Sequence, residues 1–287
     1  MQPFDYYKPK DFIEAFQYLT LAGKVVLPLA GATDFIPTYR DGVWKADAVV
    51  DIKGLPGMHD LRETSDGLYI GACVRMSDLA NSDLVKQSWG LLAEAAVQIG
   101  SGQVRNRATI GGNMCTASPC ADTPPALSAL DAKVLIKTVG GDKTVSIHDF
   151  FKGVRKTLVS RQDLVVGLLI PRPPTGSAGS YIKLSRRKGS DLSLVSVAAQ
   201  ANRLDGRLEW KIALGAVAVT VIRVPEAEAI IAKGTQPADI EKAGIAAADA
   251  SRPISDVRSS EKYRKLMVKN MTIRAIQDTL KKLGQGG

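Results

Sequence analysis

Two short glycine-bearing stretches constrain this 287-residue chain more than anything else in it. One is Leu29-Ala30-Gly31-Ala32-Thr33-Asp34, reached through an apolar run over 24–29 that reads as a buried strand. The other is Thr109-Ile110-Gly111-Gly112-Asn113, which continues through Met114, Cys115, Thr116, Ala117, Ser118 and Pro119 to Asp122. Glycine lets backbone N–H groups approach a ligand with no Cβ in the way. A pyrophosphate needs such donors at close range, and Thr33, Thr109, Thr116 and Ser118 add hydroxyls. Together the stretches read as two walls of one site for the pyrophosphate of a dinucleotide. Each alone has a plainer reading: a strand entering an ordinary turn, or a Gly-Gly hairpin turn. Neither fits G-x-G-x-x-G, and there is no G-x-x-x-x-G-K-[ST], so the Rossmann and P-loop readings fail.

The rest of the composition narrows the classes. The length suggests two domains or one large one, and 45% hydrophobic residues is enough for a sizeable core. No apolar run approaches the length of a transmembrane helix. The opening MQPFDYYKPKDF lacks a charged-then-apolar signal pattern, so a cytoplasmic location is expected. Cys73, Cys115 and Cys120 fit a reducing compartment and are too few for an iron–sulfur cluster, which usually takes four thiolates. His59 and His148 lie far apart, and no nucleophile elbow G-x-S-x-G occurs. The net charge of +9 is spread along the chain, without zinc-finger spacing or an aromatic-basic RNA motif. Arg105 and Arg107, just before the second stretch, either offset phosphate charge, dock a partner or sit in solvent.

Over 11–21, Phe12, Ala15, Phe16 and Leu19 recur at helical spacing, with Asp11 placed to cap and Glu14 three residues on. Residues 48–52 and 67–72 read as strands, 76–79 as the start of a helix capped by Ser77, and 91–99 as a strong helix. Pro119, Pro124 and Pro125 exclude a helix through Asp122 and leave a short one over 126–130. Segments 133–138 and 143–146 read as a hairpin, and 164–170 as a strand ending at Pro171, Pro173 and Pro174, the clearest domain boundary in the chain. Beyond it, 181–184, 194–203 and 208–217 read as strands, two of them turning at Asp205-Gly206. Helices follow over 225–232, 238–250 and 260–283.

FDYYKPKDFIEAFQYL, LPLAGATDFIP, QVRNRATIGGNMCTASPCADTPPAL, SYIKLSRRKGSDLSLVSVAA and SSEKYRKLMVKNMTIRAI together resemble the FAD-binding medium subunit of the molybdenum hydroxylase family. That family includes carbon monoxide dehydrogenase, xanthine dehydrogenase and 4-hydroxybenzoyl-CoA reductase, and the resemblance covers nearly the whole chain. It implies an α+β fold. A vanillyl-oxidase (PCMH)-type FAD-binding domain of two α/β subdomains, about 1–55 and 56–175, would precede a smaller α+β C-terminal domain over 176–287 with an antiparallel sheet and helices. It also implies non-covalent FAD. Pro28, Leu29, Ala30, Gly31, Ala32, Thr33, Asp34 and Phe35, with Thr109, Ile110, Gly111, Gly112 and Asn113, would wrap the pyrophosphate and flavin, with Thr116 and Ser118 further along. Asp122 would bind a sugar hydroxyl, Lys183 would lie at the flavin, and Ile99 and Val165 would pack against the rings. Ala32 departs from the family, where glycine is frequent. The cysteine-rich insertion of the 4-hydroxybenzoyl-CoA reductases is missing, so their extra cluster is not expected.

By the same resemblance this subunit does no chemistry on carbon, and no metal is expected in it. A large partner subunit would hold molybdopterin and a small one two [2Fe–2S] clusters, in a heterotrimer or its dimer. The flavin would pass electrons from the clusters to an external acceptor. Two other classes stay open: a self-contained FAD-dependent oxidoreductase, for which no acid–base group stands out, and a basic nucleic-acid-binding protein with incidental glycine loops.

Overall fold

In a computed structural model, which describes residues 2–284, the chain begins with a parallel sheet. β1 (Asp5–Tyr7), α1 (Phe12–Leu19), β2 (Val26–Leu29), α2 (Phe35–Arg40) and β3 (Ala48–Asp51) follow in sequence, and the strands pair in the order β1-β3-β2. Asp11 caps α1 as its position suggests, accepting from the Glu14 N–H at 2.8 Å. Central β3 buries all its residues. β2 is an edge strand, which is why Pro28, with no N–H for a ladder, is tolerated within it. Parallel strands end on one side of a sheet, so the first glycine stretch leaves β2 beside the end of β3, where α/β sheets bind ligands.

The next region opens with β4 (Leu61–Thr64) and β5 (Gly67–Gly71). Six helices follow: α3 (Met76–Asn81), α4 (Asp83–Ser88), α5 (Gly90–Val97), α6 (Gly102–Arg105), α7 (Ile110–Thr116) and α8 (Thr123–Ala129). Then come β6 (Lys133–Thr138), β7 (Gly141–Ser146), one-turn α9 (Ile147–Phe150), the small hairpin of β8 (Phe151–Gly153) and β9 (Lys156–Thr157), and β10 (Leu164–Ile170). The larger strands form an antiparallel sheet, β4-β5-β10-β6-β7. The last sheet, β11 (Ala178–Leu184), β12 (Val195–Leu204), β13 (Arg207–Gly215) and β14 (Ile222–Arg223), is antiparallel in chain order. It is covered by α10 (Pro225–Lys233), α11 (Pro237–Ala250) and α12 (Glu261–Lys282). Asp205 (φ 48°) and Gly206 (φ 78°) both turn left-handed between β12 and β13, as a two-residue hairpin demands. β12 is buried on both faces. Val195, Val197, Ala199 and Ala201 face the C-terminal helices, while Ala198 joins the core of the preceding region. The C-terminal sheet thus forms a wall of the molecule's main core.

Two local expectations need correction, and one plainer alternative is excluded. Ser77 lies inside α3, whose N-cap is Arg75. α8 starts at Thr123, not Ala126, because its prolines occupy the first turn, where a missing N–H costs nothing. The Ile110-Gly111-Gly112 run is the start of a helix and not a hairpin turn.

Candidate functional site

The two glycine stretches meet. A Cβ on Gly31 would run into the Arg107 carbonyl oxygen, so glycine is required for the first stretch to close on the segment entering the second. The Thr116 hydroxyl, 3.1 Å from Asp34 Oδ2, bridges them again. Gly111 serves the same purpose on the other side of α7. Its N–H donates to the Ala72 carbonyl at 2.9 Å, and an added Cβ would stand 2.7 Å from that of Ala72. The turn after β5 is in turn held by β10, since the Ala72 N–H donates to Val166 O at 3.0 Å.

The donors divide unequally between the stretches. In the second, every N–H of the first turn is spent: Ile110 on Val74 O, Gly111 on Ala72 O, Gly112 on Thr109 Oγ1 and Asn113 on Thr109 O. In the first, the N–H groups of Ala30, Gly31, Ala32, Thr33 and Asp34 have no acceptor among the described residues. Ala32 sits at φ 65° in the middle of that run. A left-handed residue among consecutive free N–H groups curls them into an anion-binding concavity, at a cost of about 1–2 kcal/mol for a non-glycine. The second stretch supplies space instead. A Cβ on Gly112 would press on Thr109 Oγ1, at 3.0 Å, and meet no other neighbour within 4 Å, so beyond that hydroxyl this face of α7 has room. Gly112 is helical, and the left-handed backbone that such a glycine can supply is not used here. Asn113 accepts from Thr123 Oγ1 at 2.6 Å, tying α7 to the start of α8.

There, at Asp122, the polar part of the site begins. Its carboxylate is buried and accepts from Tyr181 OH at 3.0 Å, Ser193 Oγ at 2.8 Å and Lys183 Nζ at 2.9 Å. Lys183 Nζ also donates to the Gln98 carbonyl at the end of α5, at 3.1 Å. Burial pushes the Asp122 carboxyl up from the usual range, and the Lys183 ammonium, with the Ser193 and Tyr181 hydroxyls, offsets only part of that. Burial and the Asp122 charge push the Tyr181 phenol well above its ordinary value. Tyr181 and Ser193 escaped the sequence reading. Strand alternation was the available signal for Tyr181, since it stands two residues before Lys183 on the same face of β11.

Other expected residues fall less simply. Ile99 and Val165 belong to the main core, 7% and 5% exposed, and leave only a thin apolar edge for a ring. The Phe35 side chain packs with Phe4, Tyr39 and Trp44 under the first sheet, so a cofactor could meet only its backbone. Ser118 Oγ accepts from the Cys120 N–H within its own turn. Leu29 packs partly against the same core as Phe35, and Pro28 is exposed at the sheet edge. Arg105 donates to the Ile99 carbonyl at 2.9 Å and so clamps the end of α5, while the Arg107 side chain is exposed. Cys115 is solvent-accessible, yet surrounding protein pushes its thiol up to about 12. Among the described residues no group of three His, Cys, Asp or Glu side chains is placed to hold a metal. No helix among them is long and apolar enough to cross a membrane.

A cavity of about 450 Å³ lined by Ser128, His148, Phe151, Thr220, Val221, Arg223 and Pro225 contains none of these residues. Its arginine is spent on Glu228 and Asp131. The free N–H run, not this cavity, has the donor chemistry that a pyrophosphate needs.

The sequence profile of the family described as "FAD binding domain in molybdopterin dehydrogenase" matches residues 2–173, and that of "CO dehydrogenase flavoprotein C-terminal domain" matches 180–279. The chain is 32% identical to the glyceraldehyde dehydrogenase medium chain of Sulfolobus acidocaldarius over 96% of its length and 98% of the relative's. It superposes on a chain of carbon monoxide dehydrogenase from Hydrogenophaga pseudoflava with TM-score 0.93 at 30% identity, covering 98% of this chain and 99% of that one. On a chain of quinoline 2-oxidoreductase from Pseudomonas putida the TM-score is 0.92 at 25% identity, over 100% of this chain and 99% of the other. With a donor cradle, an open glycine face and these likenesses in hand, the chain belongs to the FAD-binding molybdopterin dehydrogenase family, as the medium, FAD-binding oxidoreductase subunit of a molybdenum hydroxylase.

Proposed function

We propose that this chain holds FAD between its two glycine stretches and passes electrons through it, from [2Fe–2S] clusters in a small partner subunit to an external acceptor. The observation that carries the reading is the run of N–H groups from Ala30 to Asp34 that find no acceptor among the described residues, with left-handed Ala32 in its middle, on a stretch packed against the segment that leads into Gly112. The N–H run would bind the pyrophosphate, Gly112 would leave it room, and Ile99 and Val165 would keep water from the rings. Asp122 would offer its one remaining lone pair, on Oδ2, to a sugar hydroxyl, and Lys183 a cation already balanced by that carboxylate. When bound, the flavin supplies a carrier that accepts electrons singly or in pairs.

A large subunit with molybdopterin would act on carbon, in a heterotrimer or its dimer located in the cytoplasm. The relatives' names point to glyceraldehyde, carbon monoxide and quinoline, although their chains match this one along nearly its whole length. That supports a substrate pocket outside this chain. The division into domains over 1–175 and 176–287 belongs to the same proposal. It is supported by separate profile matches on either side of the proline cluster.

The test is to purify the tagged chain from its own host and measure metals. The proposal expects two further subunits, with molybdenum and two clusters' worth of iron for each FAD. A chain that purifies alone, free of both metals and fully active, would overturn it.

A further inference from the structure

Beyond the two glycine stretches, the end of β3 carries a polar group that reaches the first of them. Asp51, the last residue of that strand, is 4% exposed. Its carboxylate accepts from the Tyr6 hydroxyl on neighbouring β1, from the Lys53 N–H at 3.1 Å and from Lys53 Nζ at 2.5 Å. Lys53 Nζ also lies 3.3 Å from the carbonyl oxygen of Ala30, the residue that opens the free N–H run. An ammonium has three donors. Two are taken here, and the side chain remains one-third exposed.

We propose that Lys53 is a third component of the cofactor's phosphate site. Anchored by Asp51, it holds the Ala30 carbonyl so that the N–H groups of 30–34 face the cleft, and its remaining N–H points a positive charge to the pyrophosphate. This rests on the FAD reading and deepens it. The topology favours it: β2 and β3 are adjacent parallel strands, and both the N–H run and Lys53 follow their carboxyl ends, the side on which such sheets bind ligands. An N–H on a charged donor also makes a stronger bond to phosphate oxygen than a neutral one. Asp51 balances the charge, so the effect is local rather than a long-range field.

The experiment titrates flavin-free full-length protein with FAD and with riboflavin, which lacks phosphate, at low and moderate salt. Lys53→Met is expected to weaken FAD about tenfold or more, to leave riboflavin affinity within twofold of wild type and to flatten the salt dependence of FAD binding. Lys53→Arg keeps charge and donors and should recover most of the FAD affinity. Unchanged FAD affinity in Lys53→Met, or equal losses for FAD and riboflavin, would overturn the proposal. Should Lys53→Met not fold, Lys53→Gln is measured against the same two ligands. Wild-type protein that binds riboflavin and FAD equally well would overturn it too, and failure of wild type to bind any flavin would instead strike the FAD reading beneath it.

Discussion

Replacing Lys183 by Met tests the polar half of the site through stability. Lys183 Nζ and Asp122 Oδ2 are 2.9 Å apart, with side chains 6% and 9% exposed. Removing one partner of such a pair strands a buried charge, at about 3–5 kcal/mol. Asp122 has an escape, because it can take up a proton. From an ordinary pKa of about 3.9, being protonated at pH 7 costs roughly 1.36 kcal/mol for each of about three units, or ~4 kcal/mol, which caps the loss. Lys183→Met should therefore cost about 3–4 kcal/mol at pH 7. The sign of its pH dependence follows. In the variant the folded chain binds a proton that the unfolded chain releases above about pH 4, so stability rises as pH falls, by up to ~1.4 kcal/mol per unit. Urea unfolding of flavin-free protein between pH 5 and pH 8 measures both. The double variant Asp122→Asn/Lys183→Met should recover about 2 kcal/mol relative to the sum of the singles. A loss that does not change with pH, with single effects that add to within ~0.5 kcal/mol, would show that the two groups are not paired. The redox consequence is less obvious. If Asp122 takes a proton when Lys183 leaves, the net charge of the pair is unchanged, and under the proposed placement beside the flavin the potential should barely move. Asp122→Asn leaves the ammonium unbalanced and should raise it.

Three further outcomes are expected. Gly112→Val should abolish FAD binding while costing about 1 kcal/mol of stability, since its Cβ displaces the Thr109 cap hydroxyl but Val costs no more than Gly in a helix; full flavin content in a folded variant by circular dichroism would remove Gly112 from the site. Ala32→Gly should stabilise flavin-free protein by roughly 1 kcal/mol, because relief of the left-handed backbone exceeds the added chain entropy, and a lower urea midpoint would contradict the strain. Asp131 accepts from His148 at 2.9 Å, from Lys211 at 2.5 Å and from Arg223 at 3.1 Å. Burial raises its carboxyl, but these groups more than offset that and hold it well below the usual range. Its stabilisation is present above about pH 4 and is lost as pH falls through the depressed folded value. Asp131→Asn, which keeps a residue tolerant of φ 50°, should be less stable than wild type at pH 7 and approach it below pH 3 in urea unfolding.

Much of the fold was legible because local signals agreed with one another. Asp11 capped the helix it preceded, Asp205-Gly206 turned the hairpin it announced, and the apolar strands at 26–29, 48–51 and 164–170 formed within a few residues of their expected limits. Short helices such as α2, α4 and α6 escaped because four to six residues of chain carry too little periodicity to separate them from a loop. In the site, the two glycine stretches were visible as residues, but not their different tasks. Gly31 and Gly111 serve close backbone approach, Gly112 leaves a face open, and the free donors all lie beside Ala32. Only the tertiary placement of Arg107 and Ala72, distant in sequence, distinguishes these roles. The same holds for Tyr181 and Ser193, which matter through a carboxylate some sixty to seventy residues earlier.

The central claim, one FAD held without a covalent bond, is tested most directly by flavin content. Protein purified in its native complex is denatured with acid, and the supernatant is assayed for flavin against chain concentration. The account predicts one FAD per chain, all of it in the supernatant. Colour kept in the pellet would contradict the non-covalent site, and a colourless native complex would contradict the cofactor assignment itself.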